Sequence, residues 1–218
     1  MARDFNKAAK TWDKEPRRIQ LAKDVVKAIR KKVRLRKDQV AVDFGAGTGL
    51  VALLISPLVG KVVAIDTAPG MIKVLEQKIR AAKIQNIEPL VWDIKEKSQE
   101  PIRADLIVSA MTMHHLKRLE PFADAFRRML KPGGRIALAD LDLDNGQFHT
   151  DPSGVFHNGF DRKKLKALFT RAGFAAARIS TACTVTRSVT DGTTKTFSIF
   201  LLTASKPLIR DWGSGIGN

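Results

Sequence analysis

The apolar run Gln39–Phe44 (QVAVDF) passes directly into Gly45-Ala46-Gly47-Thr48-Gly49, and Leu50 opens a helix-spaced segment. This strand–glycine turn–helix juncture restricts the fold more than any other feature of the chain. Glycines let the backbone turn sharply and approach a ligand, because no Cβ stands in the way. Placed between a buried strand and a helix, such a turn begins a βαβ unit. The spacing is G-x-G-x-G, with Leu50 where the dinucleotide fingerprint G-x-G-x-x-G has its last glycine, which disfavours NAD.

Downstream, apolar runs alternate with helical spacing. Leu50–Leu58 reads as a short helix, Lys61–Asp66 as a strand, Pro69–Ala82 as a helix and Ile87–Val91 as a strand. Ala104–Ala110 is a fourth strand, Leu119–Leu130 a helix and Gly134–Leu141 a fifth strand. Asp161 caps a helix that runs to about Ala172 and stops at Gly173. Two strands, Ala177–Arg187 and Lys195–Ser205, close the pattern around the turn Asp191-Gly192. The expectation is an α/β fold: a Rossmann-like, doubly wound, mostly parallel seven-stranded sheet with an antiparallel edge strand, in three αβα layers. Residues 38–206 would form that domain and 207–218, rich in glycine, a flexible tail.

Residues 16–37 place Ile19, Ala22, Val25 or Val26, Ile29 and Val33 on one stripe, so the segment 1–37 is expected to be helical and to dock on the domain. It is also strongly basic. The whole chain carries 38 Lys+Arg against 22 Asp+Glu, and residues 1–38 hold fourteen Lys/Arg against five Asp/Glu. Such an arm can gather phosphates, so nucleic acid stays open as a partner, beside a plain solvated helix face. The apolar runs are too short to span a bilayer and the first residues lack the apolar core of a secretory signal. Cys183 is the sole cysteine, so no internal disulfide or cysteine-based metal cluster forms. These features read as cytoplasmic.

Carboxylates stand at the ends of consecutive strands. Asp66, twenty-one residues after Gly45, ends the second strand, where it can accept hydrogen bonds from both ribose hydroxyls of an adenosine. Asp66-Thr67 ahead of Pro69 is equally the pattern of a helix cap. Asp93 follows the third strand, in reach of an adenine amino group or simply solvated. Open α/β sheets bind ligands along this carboxyl rim.

With these motifs in place the chain resembles class I S-adenosylmethionine-dependent methyltransferases, in the broad group of ubiquinone/menaquinone-biosynthesis-type (type 11-like) enzymes. VDFGAGTG, VVAIDTAPGM, VWDI, ADLIVSAMTMHHL and LKPGGRIALAD match its successive motifs, and FDRKKLKALFTRAGF the helix that follows. The resemblance implies S-adenosylmethionine as cofactor. It places Gly45, Ala46, Gly47 and Gly49 beside the methionine moiety, and Asp43 near its ammonium. Asp66 and Thr67 fall at the ribose, Asp93 at the adenine amino group, and Met71 and Ile94 about the ring. The Ser109 carbonyl would face the ammonium. Trp12 resembles the aromatic that closes such sites, though it can equally staple the N-terminal helix.

Methyl transfer from a sulfonium is an in-line displacement, so positioning and desolvation carry much of it. A base is needed only when the acceptor arrives protonated. His114, His115, His149 and His157 are the candidates. A metal set of Asp142, Asp144, His149 and His157 is conceivable, but a polar loop with ordinary caps is the expectation, so no metal is assigned. No N/D-P-P-Y/F follows the fourth strand, where Ser109-Ala110-Met111-Thr112 stands, which argues against amino methylation of DNA bases. The leading reading is a small-molecule acceptor, with tRNA or rRNA, recruited by the basic segment, as the alternative.

Overall fold

The computed structural model describes residues 4–94, 102–189 and 192–208. The strands are β1 (Val40–Phe44), β2 (Lys61–Asp66), β3 (Ile87–Val91), β4 (Ala104–Ala110), β5 (Leu130–Leu141), β6 (Ala175–Ser188) and β7 (Thr194–Ser205). They form one sheet in the order β3-β2-β1-β4-β5-β7-β6. The first five pair in parallel, whereas β7 runs antiparallel to both β5 and β6. The closing hairpin thus supplies the expected antiparallel edge, with β7 the reversed strand and β6 outermost.

The helices are α1 (Phe5–Ala8), α2 (Pro16–Lys32), α3 (Leu50–Ile55), α4 (Pro69–Ala81), α5 (Glu120–Met129) and α6 (Arg162–Arg171). Alternate strand residues feed opposite faces, as the pleat requires. Ala41, Val62, Leu106, Ala137 and Leu201 join α2, α3 and α4 in one core cluster. Val42, Val63, Ile107, Ile136 and Leu202 join α5 and α6 in the other. Three layers result. From α2, Ala22, Val25, Val26 and Ile29 are buried in the first cluster.

Several boundaries differ from the sequence reading. The helix expected over 16–37 ends at Lys32: Val33 is extended (φ −127°, ψ 125°) and its N–H closes on the Ile29 carbonyl. Three consecutive cations, Arg30–Lys32, sit on that last turn, where the helix dipole favours positive charge. Strand β5 starts at Leu130, four residues earlier than its apolar pattern, because Leu130 pairs with Ala104 before a register shift. Within the segment 1–37, expected to be helical, Phe5–Lys14 is α1 followed by a separate 3-10 turn over Ala9–Lys14. Asp161 Oδ1 accepts the Lys164 N–H (2.9 Å), so the α6 cap is as read. Of the turn Asp191-Gly192, only Gly192 lies within the described residues, with φ +80°. The expected tail lies, beyond Leu208, outside the described residues.

Candidate functional site

At the carboxyl ends of β1, β2, β3 and β4 lies a cleft of about 440 Å³. Its wall contains Asp43, Gly45, Ala46, Gly47, Asp66, Thr67, Met71, Asp93 and Ile94, together with Trp12. The three carboxylates that the sequence left on separate strands therefore converge on one space. Gly49 and Ser109 are not in the wall. Gly49 (φ +80°) caps α3, and a Cβ there would collide with Leu75 of α4. Ser109 is buried and its hydroxyl donates to the Phe44 carbonyl (2.8 Å), tying β4 to β1. Ala110, one residue on, faces the cleft instead.

The glycine turn is held by Asp66, whose Oδ2 accepts the Gly47 N–H (2.7 Å) and whose Oδ1 accepts the Ala68 N–H (2.9 Å). The side chain caps the turn into α4 and fixes the ligand-facing loop at once. Burial raises its pKa, against the backbone N–H groups that lower it. Gly45 (φ +69°) has Thr112 so close that a Cβ would overlap it, whereas a Cβ on Gly47 (φ +55°) meets only Met71 Sδ, at 3.9 Å. Gly47 is thus the glycine whose missing side chain leaves open space. Asp43 is buried, and burial pushes its carboxyl up to about 7, with the Asp66 charge adding to the shift. Its Oδ2 has no hydrogen-bond partner. A buried, orphaned carboxylate oxygen in a cleft wall is a place for a cationic group.

The N-terminal segment straps the cleft. Phe5 and Trp12 line it. Asp13 Oδ1 accepts from Thr48 Oγ1 (2.6 Å) and pairs with Lys78, which also donates to the Thr48 carbonyl (2.8 Å). At the other end Asn6 Oδ1 accepts the Gly70 N–H (2.7 Å). The Trp12 ring carries the Arg18 guanidinium 3.8 Å above its centroid, and Phe5 meets His115 edge-on (5.1 Å).

The four histidines separate. His115 is the one in the cleft wall, its Nδ1 2.8 Å from the Gly154 carbonyl. A carbonyl only accepts, so that nitrogen carries the proton and the neutral ring has its lone pair on Nε2. His114 is buried, its Nδ1 2.7 Å from Asp140 Oδ1 and its backbone N–H on Asp140 Oδ2 (3.2 Å). The His149 ring lies against it, tilted by 42° with centroids 4.7 Å apart; its Nε2 is buried and unpartnered, and burial lowers its pKa to about 4. His157 lines neither cavity and bonds the Leu116 carbonyl (2.8 Å). The conceivable metal set is scattered among other partners. Asp142 grips Arg162 (2.7 and 2.6 Å), and Asp144 accepts the Gly146 and Phe148 N–H groups (3.0 and 2.6 Å).

A second cavity of about 250 Å³ adjoins the cleft, sharing Trp12, Arg18, Leu21, Met111 and His115 with it. His114, Phe148, His149, Arg17 and Arg187 complete much of its wall. Sequence reasoning missed Phe5, Arg18, Met111, Thr112 and Arg187. Met111 holds φ +58°, unusual for a side-chain-bearing residue, at the junction of the two spaces. Met111 and Thr112 stand within ADLIVSAMTMHHL without a role read for them, and no local motif announces Phe5, Arg18 or Arg187.

Residues 42–136 match the family model described as a methyltransferase domain. An uncharacterized methyltransferase of Schizosaccharomyces pombe is 29% identical over 63% of this chain and 54% of its own length. Over that stretch and in its fold the chain is similar to class I S-adenosylmethionine-dependent methyltransferases. A ubiquinone biosynthesis O-methyltransferase of Xylella fastidiosa (strain 9a5c) is 32% identical over 52% of this chain and 46% of its own. The chain therefore spans about half the length of the curated relatives it matches. The methyltransferase fold itself superposes on an S-adenosylmethionine-dependent methyltransferase from Aquifex aeolicus with TM-score 0.69, covering 92% of this chain and 98% of that one at 21% identity.

Proposed function

We propose that the protein transfers a methyl group from S-adenosylmethionine to a small-molecule acceptor. The observation that carries this reading is the Asp43 Oδ2 without a partner, buried in the wall beside the open face of Gly47. That pairing suits the ammonium end of the cofactor, while Asp66 suits its ribose and Asp93 its adenine. Thr67, Met71 and Ile94 line the same space. When bound, the cofactor supplies a sulfonium-activated methyl group. The chain's own part is to orient it, to exclude water with Phe5 and Trp12, and to present the acceptor in line. For an acceptor that arrives protonated, His115 Nε2 is the assigned proton acceptor. Cys183 is a free thiol, in keeping with a cytoplasmic setting, and among the described residues no helix is long and apolar enough to cross a membrane.

Calorimetry tests the cofactor directly. S-adenosylhomocysteine should bind in the micromolar range typical of such pockets, and NAD should not. Asp66→Ala should weaken binding by about 1.5–3 kcal/mol, the range for hydrogen bonds to a charged group. Binding of NAD with no response to S-adenosylhomocysteine would overturn the reading.

A second reading, tRNA or rRNA as acceptor, rests on Lys23, Lys27, Arg30 and Lys31, which stand exposed along α2, and on Arg34 just beyond its end. Counterion release predicts a slope of log affinity against log salt of about 0.7–0.9 per phosphate neutralised. We expect weak, sequence-indifferent RNA binding, with transfer to small acceptors persisting at salt that removes RNA. Labelled methyl groups on one defined nucleotide would promote this second reading over the first.

A further inference from the structure

The two adjoining cavities differ in their balance of charge. The first is walled by Asp43, Asp66 and Asp93 against one arginine, Arg18, and the second by Arg17, Arg18 and Arg187 against Glu15 and Asp151. A methyl donor is cationic, so the acidic cleft suits it. Nothing in that chemistry calls for the basic cavity beside it. We propose that the second cavity holds an oxyanion on the acceptor, a carboxylate or phosphate, with Arg187 as its main guanidinium and Arg17 in support. This rests on the reading of the first cleft as the donor site.

Arg187 extends from β6, lies 5.2 Å from the centroid of the Phe148 ring, and donates from Nη1 to the Phe148 carbonyl. Its Nε is buried and has no partner. Dehydration and the nearby Arg17 charge lower its pKa, against the Glu15 carboxylate, which raises it, so the guanidinium is partly dehydrated beside a second cation. An arriving oxyanion answers both deficits, and a guanidinium fork suits carboxylate and phosphate alike. Of the two carboxylates in this wall, Glu15 is already held by Arg17 through two bonds of 3.0 Å. The wall shared by the two cavities, at Met111 and His115, then sets the distance from the anion to the acceptor atom. An acceptor anchored in the basic cavity reaches the donor cleft past the histidine assigned to take its proton. Phe148 and Trp12 provide apolar area for the body of such a molecule.

The test titrates benzoate, phenyl phosphate and benzamide into the protein, free and saturated with S-adenosylhomocysteine. At least one anion should bind, at least tenfold more tightly than benzamide; which one binds distinguishes a carboxylate from a phosphate acceptor. Arg187→Gln should lose that binding at least tenfold, Arg17→Gln should lose part of it, and Arg187→Lys should restore part. The exposed Lys27→Gln, with the same change of charge, should lose nothing. Affinity for S-adenosylhomocysteine should be the same in Arg187→Gln as in the parent, which also reports that the variant is folded. Equal binding of benzamide, no binding of either anion, or undiminished binding in Arg187→Gln would overturn the proposal. So would a loss of S-adenosylhomocysteine affinity in Arg187→Gln, which would assign Arg187 to the donor. Failure of S-adenosylhomocysteine to bind the parent protein would instead sink the donor-site reading, and the titrations of the free protein would still decide the anion site.

Discussion

Gly45, Gly47 and Gly49 belong to one motif and share positive φ, but their surroundings divide them. A Cβ at Gly45 or Gly49 would drive into Thr112 or Leu75, so Gly45→Ala and Gly49→Ala should lower thermal stability with or without ligand. Gly47→Val adds only backbone strain, about 1–2 kcal/mol, because its side chain points into open space. It should stay folded by circular dichroism and lose S-adenosylhomocysteine binding altogether. A folded Gly47→Val that binds normally would show that the loop does not face the ligand. Asp43 adds a pH signature. Its carboxyl titrates at about 7 without ligand, and a cationic ligand favours the ionised form. Affinity should therefore fall as pH drops below 7, with a proton released on binding, and Asp43→Asn should flatten that dependence in calorimetry.

At the scale of elements, the sheet was legible because β1, β2, β4 and β5 are near-continuous apolar runs, each buried on two faces. The rim was legible for the same reason: once strand ends are known, Asp43, Asp66 and Asp93 fall on one side. The strap was not. Phe5–Lys14 is too short and irregular to show periodicity, and it is held by Asn6 and Asp13 reaching residues that lie 64 and 35 positions away. Arg187 was hidden likewise, since a cation on an edge strand reads as solvated until Phe148 is folded against it. The histidines could be named but not sorted, because only the tertiary fold sends His115 to the cleft and His114 to Asp140. The strap's fastening is testable. Asp13→Ala removes the acceptor of Thr48 and the partner of Lys78. It should weaken S-adenosylhomocysteine binding several-fold, chiefly through faster dissociation in stopped flow, while changing the melting temperature by only a few degrees. Unchanged dissociation would show that the strap does not hold the ligand in.

For the molecule as a whole, two buried groups pull stability in opposite directions with pH. His149 is lowered to about 4, so its contribution is present above the ordinary value of 6.5 and is lost as pH falls through 4. Asp43 is raised to about 7, so its contribution is present below its ordinary 3.8 and is lost as pH rises through 7. Between pH 4 and 6.5 the two oppose. Denaturation midpoints should therefore rise more steeply with pH in Asp43→Asn and tilt the other way in His149→Gln; parallel curves would refute both assignments. The strand order has a consequence of a different kind. Strand β7 comes last along the described chain but lies between β5 and β6, bonded to both. On a ribosome, β6 emerges with no neighbour to pair with, and the five parallel strands wait with an open edge. Arg187 and its cavity take shape only after Thr194–Ser205 has left the exit tunnel and threaded into that gap, so the wall assigned to the acceptor is the last part of the described fold to be built.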